Sequence, residues 1–265
     1  MGVLALAQGL SQEELQKEIL HTWAESKEAW LIDIHLGPLD LSINKQIWFL
    51  WLGAALTFFL LFLGARYVKN RPGAYQVVVE EIYGFGRKYL GGQMSDEGMK
   101  WMPYTLTLFI FLLTLNIIGH FPGSYPVTSN IAFTVTLAFL TLIIYLYQGI
   151  RRNGLGTYLG SFVPPNMPAK PIMVPLMFTI EALQQFITQP LTLAVRLYAN
   201  ILAGHLIIFV FLGLILFLTP YLAFVSVPFA LVFYAFEIFV ALVQAYIFAI
   251  LTQVYIEMAM NAGDH

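Results

Sequence analysis

Arg196 is the only lysine or arginine after Lys170, and it stands in Thr192-Leu193-Ala194-Val195-Arg196-Leu197-Tyr198-Ala199-Asn200-Ile201, inside a predominantly apolar run. A guanidinium cannot shed its proton, and at bilayer depth it costs about 3 kcal/mol or more, so an arginine kept there marks a function by default. At about 100° per residue, Gln189, Leu193, Arg196, Asn200 and Ala203 fall on one helical stripe. Glu237, Ala241, Gln244 and Phe248 share a face of a later segment in the same way, with Tyr234 and Ala245 at its edges. Ala199, Ala203 and Gly204 leave room for another helix to come close. An antiparallel hairpin turning at Pro220 sets Arg196 opposite Gln244 and His205 opposite Glu237. His205 lies about 180° around the helix from Arg196 and roughly 13 Å along it, so the two serve different compartments of one device.

Each residue also has a plainer reading. Asn200 and Gln244 can be interhelical glue, and His205 with Glu237 a buried pair that only fixes the hairpin. Glu257 is most simply a solvated acid. Arg196 resists such a reading: neither Glu181 nor Glu237 falls opposite it in this register, so its partner is expected on another chain.

The elements that must position these groups are membrane helices. The chain has 265 residues, 59% hydrophobic and 11% charged, and no cysteine, which excludes a disulfide framework, a thiolate metal site and a thiol nucleophile. Nothing in the charge distribution suggests nucleic acid. Residues 1–45 read as an N-terminal tail on the outer side, without a secretory signal, carrying a short amphipathic helix over Ser11–Ala24 and a turn-rich approach at Asp33–Pro38. Residues 46–265 form the membrane domain. Spans are expected over Ile47–Tyr67, Met102–Ile118 and Ile131–Tyr147, with an interfacial helix over Tyr75–Tyr89 and a Gly- and Pro-rich loop from Gly154 to Pro171. The apolar runs Val174–Leu218 and Tyr221–Met260 are each about twice the length of a perpendicular span, so residues 172–262 read as a hairpin of two long, tilted helices. Pro190 interrupts the first run and Pro228 is a candidate kink in the second. The nine bases from Arg66 to Lys170 fall in two loops on one side, which puts the Pro220 turn outside and the C-terminus inside. The expectation is an all-α integral membrane protein with about five membrane segments.

The stretch Thr192–Ile201 resembles the signature of subunit a of F-type ATP synthases, the stator subunit of their membrane motor. The likeness rests on small or polar Thr192 and Ala194, the Arg196-Leu197 pair, Ala199 and Asn200, and extends to Ala203-Gly204-His205 and Gln244-Ala245-Tyr246-Ile247-Phe248. It implies a subunit that is not itself catalytic and holds no cofactor, working against a rotating ring of small hairpin subunits whose carboxylates bind H⁺ or Na⁺. Arg196 then faces those carboxylates and blocks a direct leak between two half-channels. By the same resemblance Asn200 and Gln244 surround the arginine, and His205 and Glu237 belong to the outer half-channel. Glu181 fits the inner one or is a solvated interfacial acid. Asn116 and His120 read first as structural, otherwise as groups at a channel entrance. The implied partners are the rotor ring, a peripheral stalk subunit and the rest of the synthase. The implied location is an energy-transducing membrane, bacterial plasma membrane ahead of an organellar inner or thylakoid one.

Two other classes fit the sequence less well. A secondary transporter would use Arg196 to bind an anionic substrate, but no inverted repeat and no matching pair of broken helices is present. A membrane hydrolase built on His205 or His120 lacks both Gly-x-Ser-x-Gly and His-Glu-x-x-His.

Overall fold

The computed structural model describes residues 30–32, 35–36, 39–40, 43–66, 74–92, 94–121, 124, 126–163, 170–217 and 220–263. The amphipathic helix expected over Ser11–Ala24 lies outside them. The chain divides into two compact units, Met1–Leu52 and Gly53–His265. In the first, β1 (Trp30–Ile32) pairs antiparallel with β4 (Ile43–Asn44), and β2 (His35–Leu36) with β3 (Leu39–Asp40). Asn44 Oδ1 accepts from the Ile47 amide at 3.0 Å and so caps the helix that follows, α1 (Lys45–Arg66).

These short strands apart, the described elements are helical, and five helical stretches are long and apolar enough to cross a membrane. The protein is an all-α integral membrane protein. Beyond α1, α2 (Ala74–Phe85) is too short to span and continues into a π turn at Gly86–Leu90; Glu80, Glu81, Arg87 and Lys88 are exposed while Gly86 and Leu90 are buried. A 3₁₀ turn at Gly98–Trp101 leads into α3 (Met102–His120), and α4 (Ile131–Asn153) is capped by Asn130, whose side chain accepts from the Ala132 amide at 2.9 Å. The third span thus runs past Tyr147 to Asn153. Gly154, at φ 77°, turns the chain, and its amide bonds the Ile150 carbonyl at 2.8 Å. The expected loop after it holds a short helix, α5 (Leu155–Gly160).

The hairpin is formed by α6 (Lys170–Leu183), a π turn at Gln184–Thr188, α7 (Gln189–Phe217) and α8 (Pro220–Met260), which runs through Pro228. The π turn is the form taken by the expected interruption at Pro190. Proline has no N–H, and its ring clashes with the carbonyl four residues back in a regular helix. Here the Gln189 amide bonds Gln184, one residue further back than in an α-helix.

Helix α7 packs on α8, α8 also on α3 and α4, and α4 on α7. Leu193, Ala194 and Leu197 of α7 meet Ala245, Phe248 and Ala249 of α8 in one core with Leu106, Phe109 and Leu112 of α3. The face read from sequence, Glu237, Ala241, Gln244 and Phe248, is buried throughout.

At the far end of α8 a polar clamp holds the helix. Gln253 accepts from Thr105 Oγ1 and donates to the Gly98 carbonyl, both at 2.9 Å. Asn153 Nδ2 donates to the Ala259 and Met260 carbonyls at 3.1 Å, capping the helix C-terminus. Glu257, expected to be solvated, instead accepts from the Ser95 amide at 3.1 Å and Asn261 Nδ2 at 3.0 Å. Sequence could not show this, because the loop it binds is about 160 residues away.

Candidate functional site

Along α7 the polar groups fall into three levels. At the middle one, Asn200 Nδ2 donates to Gln244 Oε1 at 2.7 Å. Asn200, rather than Arg196, is therefore the residue bonded to Gln244, while Gly204 against Glu237 lies within one residue of the expected register. Arg196 is half-buried and, among the described residues, has neither a salt bridge nor a hydrogen bond. Its charge acts on Tyr255 of α8, across the helix pair.

Nearer the Pro220 end lies a cluster assembled from three helices. Glu237 and His120 are each only 5% exposed, and Glu237 Oε1 stands 3.6 Å from His120 Nε2. His120 Nδ1 is 2.6 Å from the Asn116 carbonyl, which can only accept, so the proton sits on Nδ1 and Nε2 is left toward the carboxylate. A bare Nε2 lone pair facing a carboxylate anion would be repulsive. His205 lies against His120, ring centroids 6.0 Å apart and 30° between planes. Gly204, its neighbour, meets Glu237 so closely that a methyl group there would lie 2.7 Å from Glu237 Cγ.

The expected pair of His205 and Glu237 is thus brought into one cluster, with His120 as the nearest basic partner of Glu237. Asn116 is fixed by donating to the Ala241 carbonyl at 3.1 Å and accepting from Thr128 Oγ1 at 2.9 Å, and Tyr234 donates to the His120 carbonyl at 2.7 Å. Within this scaffold His120 Nε2, His205 Nε2 and both Glu237 oxygens are buried without hydrogen-bond partners among the described residues. Buried polar atoms left so are costly, and a row of them suits groups that exchange protons with water. Asn116 and His120, one turn apart on an apolar span, were the signal in the sequence for this extension.

Toward the other end, Ile180, Leu183, Gln184, Thr188, Gln189 and Thr192 line an open cleft of about 480 Å³ together with Tyr255 and Met258 of α8. Glu181 does not line it. Its carboxylate acts instead on Tyr158 of α5, whose hydroxyl accepts from Gln185 Nε2 at 2.6 Å. Burial pushes the Tyr158 phenol up to about 12; the Gln185 hydrogen bond works against the shift and the Glu181 charge adds to it. Among the described residues no group of three or more His, Cys, Asp or Glu is arranged to hold a metal ion.

Among the described residues Arg196 thus has no counter-ion, and along α7 it stands between the buried cluster of Glu237, His120 and His205 and the cleft at Gln184, Thr188 and Thr192. The family model "ATP synthase A chain" matches residues 47–257. The chain is 65% identical over 255 residues to ATP synthase subunit a of Rubrobacter xylanophilus, covering 96% of this chain and 98% of that one. It is 41% identical over 236 residues to the Myxococcus xanthus subunit (86% and 76% covered) and 36% over 240 residues to that of Frankia alni (88% and 83%). The chain belongs to the ATP synthase subunit a family.

Proposed function

We propose that this protein is the ion-translocating stator subunit of a rotary ATP synthase, itself non-catalytic, working in a bacterial plasma membrane against a ring of small rotor subunits and held by a peripheral stalk. Family membership and the bacterial relatives support the setting. The observation that carries the mechanism is Arg196, which has no counter-ion among the described residues.

The cluster of His120, His205 and Glu237 is the outer half-channel, with Asn116 and Tyr234 holding it in shape. An imidazole–carboxylate pair passes protons readily and offers Na⁺ few oxygen ligands, which supports H⁺ as the ion. A proton delivered here neutralises a ring carboxylate, which can then enter the lipid as the ring turns. On reaching Arg196 the carboxylate ionises: at about 4 Å and an effective dielectric of 20, a fixed guanidinium favours the anion by roughly 4 kcal/mol. The released proton leaves through the cleft at Gln184, Thr188, Gln189 and Thr192, the inner half-channel. Glu181, set behind that cleft against Tyr158, tunes it electrostatically and offers a proton acceptor near the inner surface. Asn200 and Gln244, bonded to each other, hold α7 and α8 at the distance that presents Arg196 to the ring.

Arg196→Ala tests this reading. In membrane vesicles carrying the whole complex, ATP-driven proton pumping and proton-driven ATP synthesis should both drop to background while the assembled complex remains. Arg196→Lys should fail too, since lysine can lose its proton and lacks the planar fork. Near-normal coupled synthesis in either variant would overturn the proposal.

A further inference from the structure

The π turn at Gln184–Thr188 leaves one backbone group without a main-chain partner. The carbonyl of Gln185 would take the amide of residue 189 in an α-helix or of residue 190 in a π-helix. The Gln189 amide is already bonded to Gln184, and Pro190 has none. The carbonyl is taken instead by the hydroxyl of Tyr145 on α4, at 2.5 Å. Tyr145 is buried, its ring edge-on to Tyr255 at 5.9 Å between centroids. One side chain from a neighbouring helix thus satisfies the group that a return to α geometry would otherwise reclaim.

The turn has a consequence for which residues share a face. In an uninterrupted α-helix residues four apart drift by about 40° per step, so Ile180, Gln184, Thr188, Thr192 and Arg196 would spread over roughly 160°. A π turn absorbs one extra residue, taking about 100° out of that drift. All five then lie within roughly 80°, half the spread of an uninterrupted helix, and Gln184 and Arg196 within about 20°. The lining of the cleft agrees: Ile180, Gln184, Thr188 and Thr192 all border it, together with Tyr255, the residue on which the Arg196 charge acts.

We propose that the π turn is a register device that straightens the polar row Gln184–Thr188–Thr192 into line with Arg196, and that Tyr145 is the positioning residue that holds it. The proposal rests on reading the cleft as the inner half-channel.

The natural chain has no cysteine, so single cysteines report on it directly. In inverted vesicles carrying the whole synthase, a charged, membrane-impermeant methanethiosulfonate reaches the inner side. Gln184→Cys, Thr188→Cys and Thr192→Cys should be labelled, and Ile187→Cys and Leu191→Cys should not. Adding Tyr145→Phe removes a single hydrogen bond, enough to shift the balance between two registers by about tenfold. Labelling at 184 should fall by that order while labelling at 192, beyond the turn, is kept. A general loosening would move both sites together. Pro190→Ala, which restores the missing N–H, should act in the same direction and serves if the phenylalanine variant fails to assemble. Unchanged labelling at 184 in both variants overturns the role of Tyr145 and the turn. Labelling at 192 but not at 184 or 188 in the otherwise natural chain overturns the alignment and leaves the half-channel standing. No labelling at any of the three sinks the half-channel reading and this inference with it.

Discussion

Removing His120 tests whether Glu237 works with the histidine beside it in space or only with the one opposite it in the sequence register. Glu237 Oε1 is 3.6 Å from His120 Nε2, and both side chains are only 5% exposed. At that separation an ion pair is worth roughly 4–5 kcal/mol at an effective dielectric of 20. Desolvation takes back a large part of this, and taking away one partner of a buried pair typically costs about 3–5 kcal/mol because the other is stranded. If even 1.5 kcal/mol of coupling reaches the transport step, the rate changes by about tenfold. His120→Ala and Glu237→Gln should therefore each slow ATP-driven proton pumping at least about tenfold, and the double variant should be no slower than the worse single one. The assay is pumping in inverted vesicles, normalised to the amount of assembled complex. Losses that add within about 0.5 kcal/mol, or a His120→Ala variant that pumps at the natural rate, would refute a shared proton between the two groups.

Gly204→Ala places a methyl group 2.7 Å from Glu237 Cγ, so the Glu237 side chain must move from its place beside His120 or α7 and α8 must part, at a cost of about 1–3 kcal/mol. Slower ATP-driven pumping is expected, measured in inverted vesicles and normalised to assembled complex; natural pumping would show that the place of Glu237 beside Gly204 does not matter to transport. Tyr158, with its phenol pushed up to about 12, keeps its proton in the folded chain at pH values where the unfolded chain has lost it. The contact therefore destabilises the fold as pH rises from about 10 toward 12, and a Tyr158→Phe difference spectrum near 295 nm should show no phenolate forming at this site below about pH 11.

The spans and the buried face of α8 were legible because both are one-dimensional signals, length and a 3.6-residue period. Glu237, Ala241, Gln244 and Phe248 needed nothing but helical arithmetic. The hairpin register was legible to about one turn, which was enough to bring Asn200, Gln244, Gly204 and Glu237 together but not to choose between Arg196 and Asn200 as the partner of Gln244. What sequence could not supply came from outside the hairpin. His120 reaches Glu237 from α3, and Tyr145 reaches Gln185 from α4, at separations for which no periodicity exists. The π turn was half visible: Pro190 announced an interruption, but the choice of π turn over kink depends on a donor elsewhere in the bundle.

The contrast between Glu237 and Arg196 shows what kind of part this chain is. Both are ionisable groups at membrane depth, and association of helices there gains little from the hydrophobic effect, so each must be satisfied by specific contacts. Glu237 is answered within the chain by His120, on a helix fixed by Asn116, Thr128 and Tyr234, and can gain or lose a proton when the balance changes. Arg196 has no such escape: its charge is permanent, it is half-buried, and no carboxylate meets it among the described residues. The proposed function answers that cation from another chain: a ring carboxylate arrives at the level of Arg196, ionises there and leaves again as the ring turns.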